Sequence, residues 1–258
     1  MTSRKPLEKG KSLQICADLE ALSQAAAKRF TDLATQAIGK RGAFHVALAG
    51  GATPRRLYQY LATPLYAERI GWSQVHIYFG DERAVPPDHP DSNYQMAHES
   101  LLKHVPIPAA QINRIEGEHK DLDRSAAGYD TLIQERVPQG DNLLPQFDLI
   151  LLGIGPDGHV ASLFPDTPIL KEREKLVAAV YVTKLCTWRI SLTLPVINNA
   201  RDVMVLAAGE NKANIIRRVF SEEPDNGRLP VQLVRPVGEL EWYLDAAAAH
   251  SLSEEALA

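Results

Sequence analysis

The sequence predicts an α/β protein, a Rossmann-like and mainly parallel sheet flanked by helices. Three observations lead there. Short apolar runs that read as buried strands recur at Phe44 to Leu48, Val75 to Phe79, Phe147 to Leu152 and Asp202 to Leu206. Helical patterns alternate with them, as βαβ units require. Glycine-bearing turns follow three of the runs, at Gly50-Gly51, Gly80 and Gly153 to Gly158, and ligands of open α/β sheets bind at that end of the strands.

Taken in order, the segment from about Leu13 to Lys40 reads as an amphipathic first helix. Leu19, Leu22, Ala26, Phe30 and Leu33 lie at near-helical spacing, and Arg41-Gly42 ends the pattern. After the strand at Phe44 to Leu48, a helix is expected from Arg55 to about Leu61, with Thr53 as N-cap and Pro54 as its first residue. The strand Val75 to Phe79 exits through the turn Gly80-Asp81-Glu82-Arg83, and a helix covers Ser92 to His104. Further strands are read at Ile112 to Ile115, Val177 to Val182 and Arg189 to Thr193, and further helices at Ser125 to Val137 and Asn211 to Phe220. Ser221 to Pro230, with Pro224-Asp225-Asn226-Gly227, reads as a surface loop. The acidic, Ala-rich tail from Glu239 onward reads as a closing helix. With no internal repeat, low-complexity tract or Gly/Ser linker, the expectation is one domain over residues 1–258.

Composition narrows the function. The chain has 258 residues, 45% hydrophobic and 23% charged, with a formal net charge of -4, which gives no reason to expect a nucleic-acid partner. Phosphate recognition, if present, must therefore be local. Cys16 and Cys186 stand far apart, outside any C-x-x-C pattern, so neither a disulfide framework nor a thiolate metal site is indicated. None of the histidines belongs to an H-E-x-x-H pattern, and no metal or other cofactor is expected. The N-terminus lacks an apolar signal core and no apolar run approaches membrane-spanning length. A cytoplasmic protein acting on a small molecule, with no membrane partner, is the expectation.

Four turns carry the chemistry. Gly50-Gly51-Ala52-Thr53 offers small residues and a helix N-terminus to an anion, although it is neither a P-loop nor a G-x-G-x-x-G turn. Gly80-Asp81-Glu82-Arg83 places two acids and a guanidinium at a strand end, where Arg83 could fork onto a phosphate or carboxylate. In Gly153-Ile154-Gly155-Pro156-Asp157-Gly158-His159, a histidine two residues after an aspartate suits proton transfer near neutral pH. Trp188-Arg189 and Gly209-Glu210-Asn211-Lys212 lie at strand boundaries. Lys212, in the first turn of a helix, opposes the helix dipole, a conflict that a bound anion would remove.

These segments, in this order, resemble the 6-phosphogluconolactonase family. The likeness runs over most of the chain: Ala49 to Pro54, Gly80 to Arg83 with Asp91-Ser92-Asn93-Tyr94, Gly153 to Pro165, Arg189 to Asn198, and Gly209 to Lys212. The resemblance implies a fold shared with glucosamine-6-phosphate deaminases and ribose-5-phosphate isomerases, without a nucleotide cofactor. It implies hydrolysis of a phosphorylated sugar lactone in the oxidative pentose phosphate pathway. His159 is then the general base on water, with Asp157 supporting it and Arg83 as a further catalytic candidate. Gly50, Gly51, Thr53, Asp81, Arg189 and Lys212 are expected to bind the substrate and its phosphate. Ala52 departs from the family, whose members often carry a serine or another polar residue there, leaving the contact to backbone N–H groups and Thr53.

Two readings compete with this one. A sugar-phosphate-binding sensor on the same fold would not need the retained Asp157 and His159. The related deaminases carry an acid shortly after the histidine, where this chain has Phe164, and a phenyl ring cannot transfer a proton.

Overall fold

The computed structural model describes residues 3–6, 10–221 and 229–252. Strands β1 (Ser3–Pro6) and β2 (Lys11–Cys16) come first, so the beginning of the expected first helix is a strand. Helix α1 (Leu19–Arg41) cannot start earlier, because Asp18 is its N-cap and accepts a hydrogen bond from the Ala21 N–H at 2.8 Å. Its end is the predicted one: Gly42, at φ 81°, donates back to the Ile38 carbonyl.

The next elements are β3 (Phe44–Leu48), α2 (Ala52–Leu61), α3 (Pro64–Ala67), β4 (Val75–Phe79), β5 (Asp81–Arg83), α4 (Asn93–Ser100) and α5 (Leu122–Arg136). The N-cap of α2 is Gly51 rather than Thr53, and Pro54 is the third helical residue. At φ 105° Gly51 takes a backbone shape that side chains disfavour, which lets the helix begin sooner. The expected exit turn at 80–83 is largely β5, and Ile112 to Ile115 contributes only a bridge from Ile112 to Ile77. Ser92 caps α4, which stops at Ser100 before a separate 3₁₀ turn at Leu102–His104.

The chain continues through β6 (Leu149–Gly153), β7 (Val177–Val182), β8 (Thr187–Leu192), α6 (Leu194–Asn198), β9 (Asp202–Ala207), α7 (Ala213–Phe220), β10 (Glu239–Asp245) and α8 (Ala246–Ala249). Arg189 therefore lies inside a strand that begins at Thr187. The tail expected to be helical is mostly β10: Leu240 to Leu244 are buried and pair on both sides, with β2 and β9, which outweighs the helical preference of the alanines. Of the expected loop at Ser221 to Pro230, residues 222–228 lie outside the described residues, and Pro230 opens a 3₁₀ turn.

The larger sheet has the order β1-β2-β10-β9-β6-β3-β4, parallel throughout except at the β1 edge. β3, β6 and β9 are nearly continuous buried runs, as strands covered on both faces must be. A second, antiparallel sheet has the order β5-β8-β7. Gly80 joins the two: its N–H donates to Leu48 O and its carbonyl accepts from the Leu192 N–H, both at 2.8 Å.

At the amino ends of the strands lies a charged and aromatic layer. Asp148 accepts from the His45 N–H and from Arg41, while Arg29 bridges Asp202 and Glu241. The rings of His45 and His76 stack at 4.6 Å. Burial, helped by His76 and Arg41, lowers the His45 pKa to about 4.

Candidate active site

The carboxyl ends of β3, β4, β6 and β9 meet in a cleft of about 370 Å³. Each strand exit contributes. From β3 come Gly50, Gly51 and Thr53, and the first turn of α2 leaves the Ala52 and Thr53 N–H groups without intrahelical acceptors. From β9 comes Lys212, whose ammonium donates to Ile154 O at 2.9 Å. The turn that carries it is anchored at Gly209, whose N–H donates to Asp245 at 3.0 Å. Burial lowers the Lys212 pKa against the opposing pull of Asp157. A lysine beside a helix N-terminus makes an anion corner.

From β6 comes the turn with the histidine. Asp157 Oδ1 accepts from His159 Nδ1–H at 2.5 Å, and Asp157 Oδ2 accepts from Lys184 Nζ at 2.9 Å. Burial opposes ionisation of Asp157, but the bonds from Lys184 and His159 outweigh it and hold the carboxyl at about 2. As a carboxylate it only accepts, so the Nδ1 proton is fixed and Nε2 is left as the basic nitrogen. Burial lowers the His159 pKa, partly offset by Asp157. The ring lies on Phe164 with centroids 3.9 Å apart.

The β4 to β5 crossing supplies Asp81 and Arg83. Asp81 is buried and accepts from Ser162 Oγ at 2.6 Å and from Asn93 Nδ2 at 3.1 Å. Glu82, on the other side of the strand, receives Ser92, Asn93 and Tyr94 and so ties down the start of α4. Arg83 donates from Nη1 to the Asp91 carbonyl, while its buried Nε has no partner among the described residues. Arg189 stands opposite Arg83 in the β5–β8 register, and burial together with Arg83 lowers its pKa.

Of the residues singled out from sequence, Gly50, Gly51, Thr53, Asp81, Arg83, His159 and Lys212 line one cleft. Asp157 stands behind His159, and Arg189 is outside the lining, behind Arg83. One residue escapes the sequence reading, and two that stand in its motifs make contacts it does not foresee. Lys184 reaches Asp157 from a distant hairpin, Asn93 holds Asp81, and Gly155 leaves the space that the His159 ring fills. Lys184 carries no local signal, whereas Asn93 and Gly155 lie within segments that the sequence already singles out.

Fold and cleft together define an α/β enzyme that sets a carboxylate-supported histidine in one cleft with a lysine and a helix N-terminus. Residues 17–242 match the family described as glucosamine-6-phosphate isomerases/6-phosphogluconolactonase, and the chain belongs to that family. It is 37% identical over 243 residues to a 6-phosphogluconolactonase of Nostoc sp., covering 94% of this chain and 99% of the relative. To the human 6-phosphogluconolactonase it is 40% identical, covering 90% and 89%. The solved structure of the Trypanosoma brucei 6-phosphogluconolactonase superposes with a TM-score of 0.83 at 27% identity, over 97% of this chain and 100% of the other. A monomeric glucosamine-6-phosphate deaminase shares the fold, with a TM-score of 0.78 at 21% identity. Among the described residues no helix is long and apolar enough to cross a membrane.

Proposed function

We propose that the protein hydrolyses 6-phospho-D-glucono-1,5-lactone to 6-phosphogluconate, the lactonase step of the oxidative pentose phosphate pathway, with His159 activating the water. The observation that carries this reading is the Asp157–His159 pair, whose remaining basic nitrogen belongs to a residue of the same cleft as Lys212 and the α2 N-terminus. Nε2 takes a proton from water as the oxygen adds to C1. The imidazolium, steadied by Asp157, then returns a proton to the ring oxygen as the C1–O bond breaks. Arg83, whose guanidinium belongs to a residue that lines the cleft, is the donor assigned to the C1 oxyanion.

The phosphate belongs at the corner made by Gly50, Gly51, Thr53 and Lys212, with Arg189 adding positive potential behind Arg83. Asp81 offers its remaining lone pairs to a sugar hydroxyl. Binding energy from the phosphate is then available to orient the distant carbonyl. Phe164 supports lactone hydrolysis over deamination, since its ring packs on His159 where the competing chemistry needs an acid. The free thiols of Cys16 and Cys186 suit a reducing cytoplasm as the place of reaction.

The test is His159→Ala, assayed against the spontaneous hydrolysis of the lactone in buffer. Loss of about 10² to 10⁴ in kcat is expected, with fold and binding of 6-phosphogluconate retained. Near-normal turnover would reject His159 as the base. Turnover of ribose 5-phosphate or glucosamine 6-phosphate by the unaltered protein would reject the lactonase assignment.

A further inference from the structure

We propose that Lys184, carried on the hairpin between β7 and β8, is a positioning residue that acts on His159 through Asp157. The proposal rests on the reading of His159 as the base. Asp157 has two oxygens and divides them: Oδ1 takes the imidazole and Oδ2 takes the ammonium. Lys184 is not among the residues that line the cleft, so its contribution is to the carboxylate and not to the substrate. The hairpin is built to present it. Thr183–Leu185 forms a single 3₁₀ turn, closed by the Cys186 N–H on the Thr183 carbonyl, with Cys186 in the left-handed region at φ 48°.

Among the described residues three charges act most on the imidazole. Asp157 and Asp81 favour its protonated form and Lys212 opposes it, while Phe164 covers a face without charge. The ion pair with Lys184 neutralises part of the Asp157 charge, so the imidazole gives up its proton at a lower pH than a lone Asp157 would allow. The same pair keeps Asp157 ionised and pinned at both oxygens, so the imidazole keeps one tautomer and one tilt. The Lys184 side chain is 62% exposed and that of Asp157 only 19%. The effect is therefore modest and weakened by salt.

The test compares Lys184→Gln, Lys184→Met and Lys184→Arg by two readouts: the pH profile of kcat/KM and the NMR titration of His159. In Lys184→Gln and Lys184→Met both the acid limb and the titration midpoint should rise by several tenths of a pH unit. KM should stay within about twofold of the unaltered enzyme, and added salt should narrow the gap. Lys184→Arg keeps the charge and should restore both values. A His159 midpoint in Lys184→Gln equal to that of the unaltered enzyme overturns the proposal, as does an equal shift in Lys184→Arg. A midpoint that moves while the rate profile stays still overturns the base reading instead, and leaves the Lys184–Asp157–His159 coupling standing. Melting temperatures of the three variants confirm that folded protein is being compared.

Discussion

The His159 imidazole occupies the space that a β-carbon on Gly155 would need, and the two would overlap outright. Their backbones are tied as well, because the Gly155 N–H donates to the His159 carbonyl at 2.8 Å. The ring packs on Phe164 and against the bare Gly155. Gly155 is thus required for side-chain room, not for an unusual φ.

Gly155→Ala should therefore push the ring off its bond to Asp157. A misplacement of about 1 Å is worth about 10² in rate, so kcat should fall by that order while phosphorylated-ligand binding persists. Steady-state kinetics beside a binding titration checks this, and an unaltered kcat would show that the ring position is not critical.

Lys212→Ala removes the side-chain cation assigned to the anion corner. Affinity for the phosphorylated lactone should fall by about 10 to 100-fold, as expected for a charge-assisted bond. An unphosphorylated lactone should lose little. Parallel assays on both substrates decide it, because equal losses would place the phosphate elsewhere.

Phe164→Ala uncovers the imidazole. Burial is the main cause of the lowered His159 pKa, so exposure should raise it toward the ordinary value, and the acid limb of kcat/KM should move to higher pH. The direction is the same as for loss of Lys184 but the cause is different, and here added salt should leave the shift largely in place. Profiles at two ionic strengths separate the two.

His45 predicts an acid weakness far from the cleft. Its folded pKa, about 4, lies below the unfolded 6.5, so the unfolded chain binds the extra proton first. Stability is full above about pH 6.5 and is lost as pH falls toward about 4, by about 3 kcal/mol once both states are protonated. His45→Asn, which has no proton to gain, should flatten that part of the curve in urea unfolding measured from neutral to acid pH. An unchanged slope would assign the loss to other groups.

How much of this is legible in sequence follows from distance along the chain. The strand, turn and histidine of residues 149–162 lie in one stretch, so apolar run, glycines and Asp157-Gly158-His159 can be read together. β10 misleads because its alanines and acids suggest a helix, while the pairing with β2 and β9 that decides the matter is remote in sequence. β2 misleads similarly, since only Asp18 marks where helical geometry begins. Lys184 is illegible for a related reason: it lies 27 residues from Asp157, and only the hairpin turn and its register bring the two together. Thr53 shows a limit of propensity, since a threonine before a proline makes a plausible cap until Gly51 takes the turn first.

The Gly80 crossing between the sheets has a consequence for how this chain tolerates insertions and deletions. Asp81 and Glu82 are adjacent buried acids serving opposite sides of one short strand, the first bonded to Ser162 and the second to Ser92 and Tyr94. Side chains along a strand alternate, so a change of length by one residue exchanges their faces. A single-codon deletion at this point would offer each acid to the other's partners. The reading frame of β5 is in this sense part of the active site.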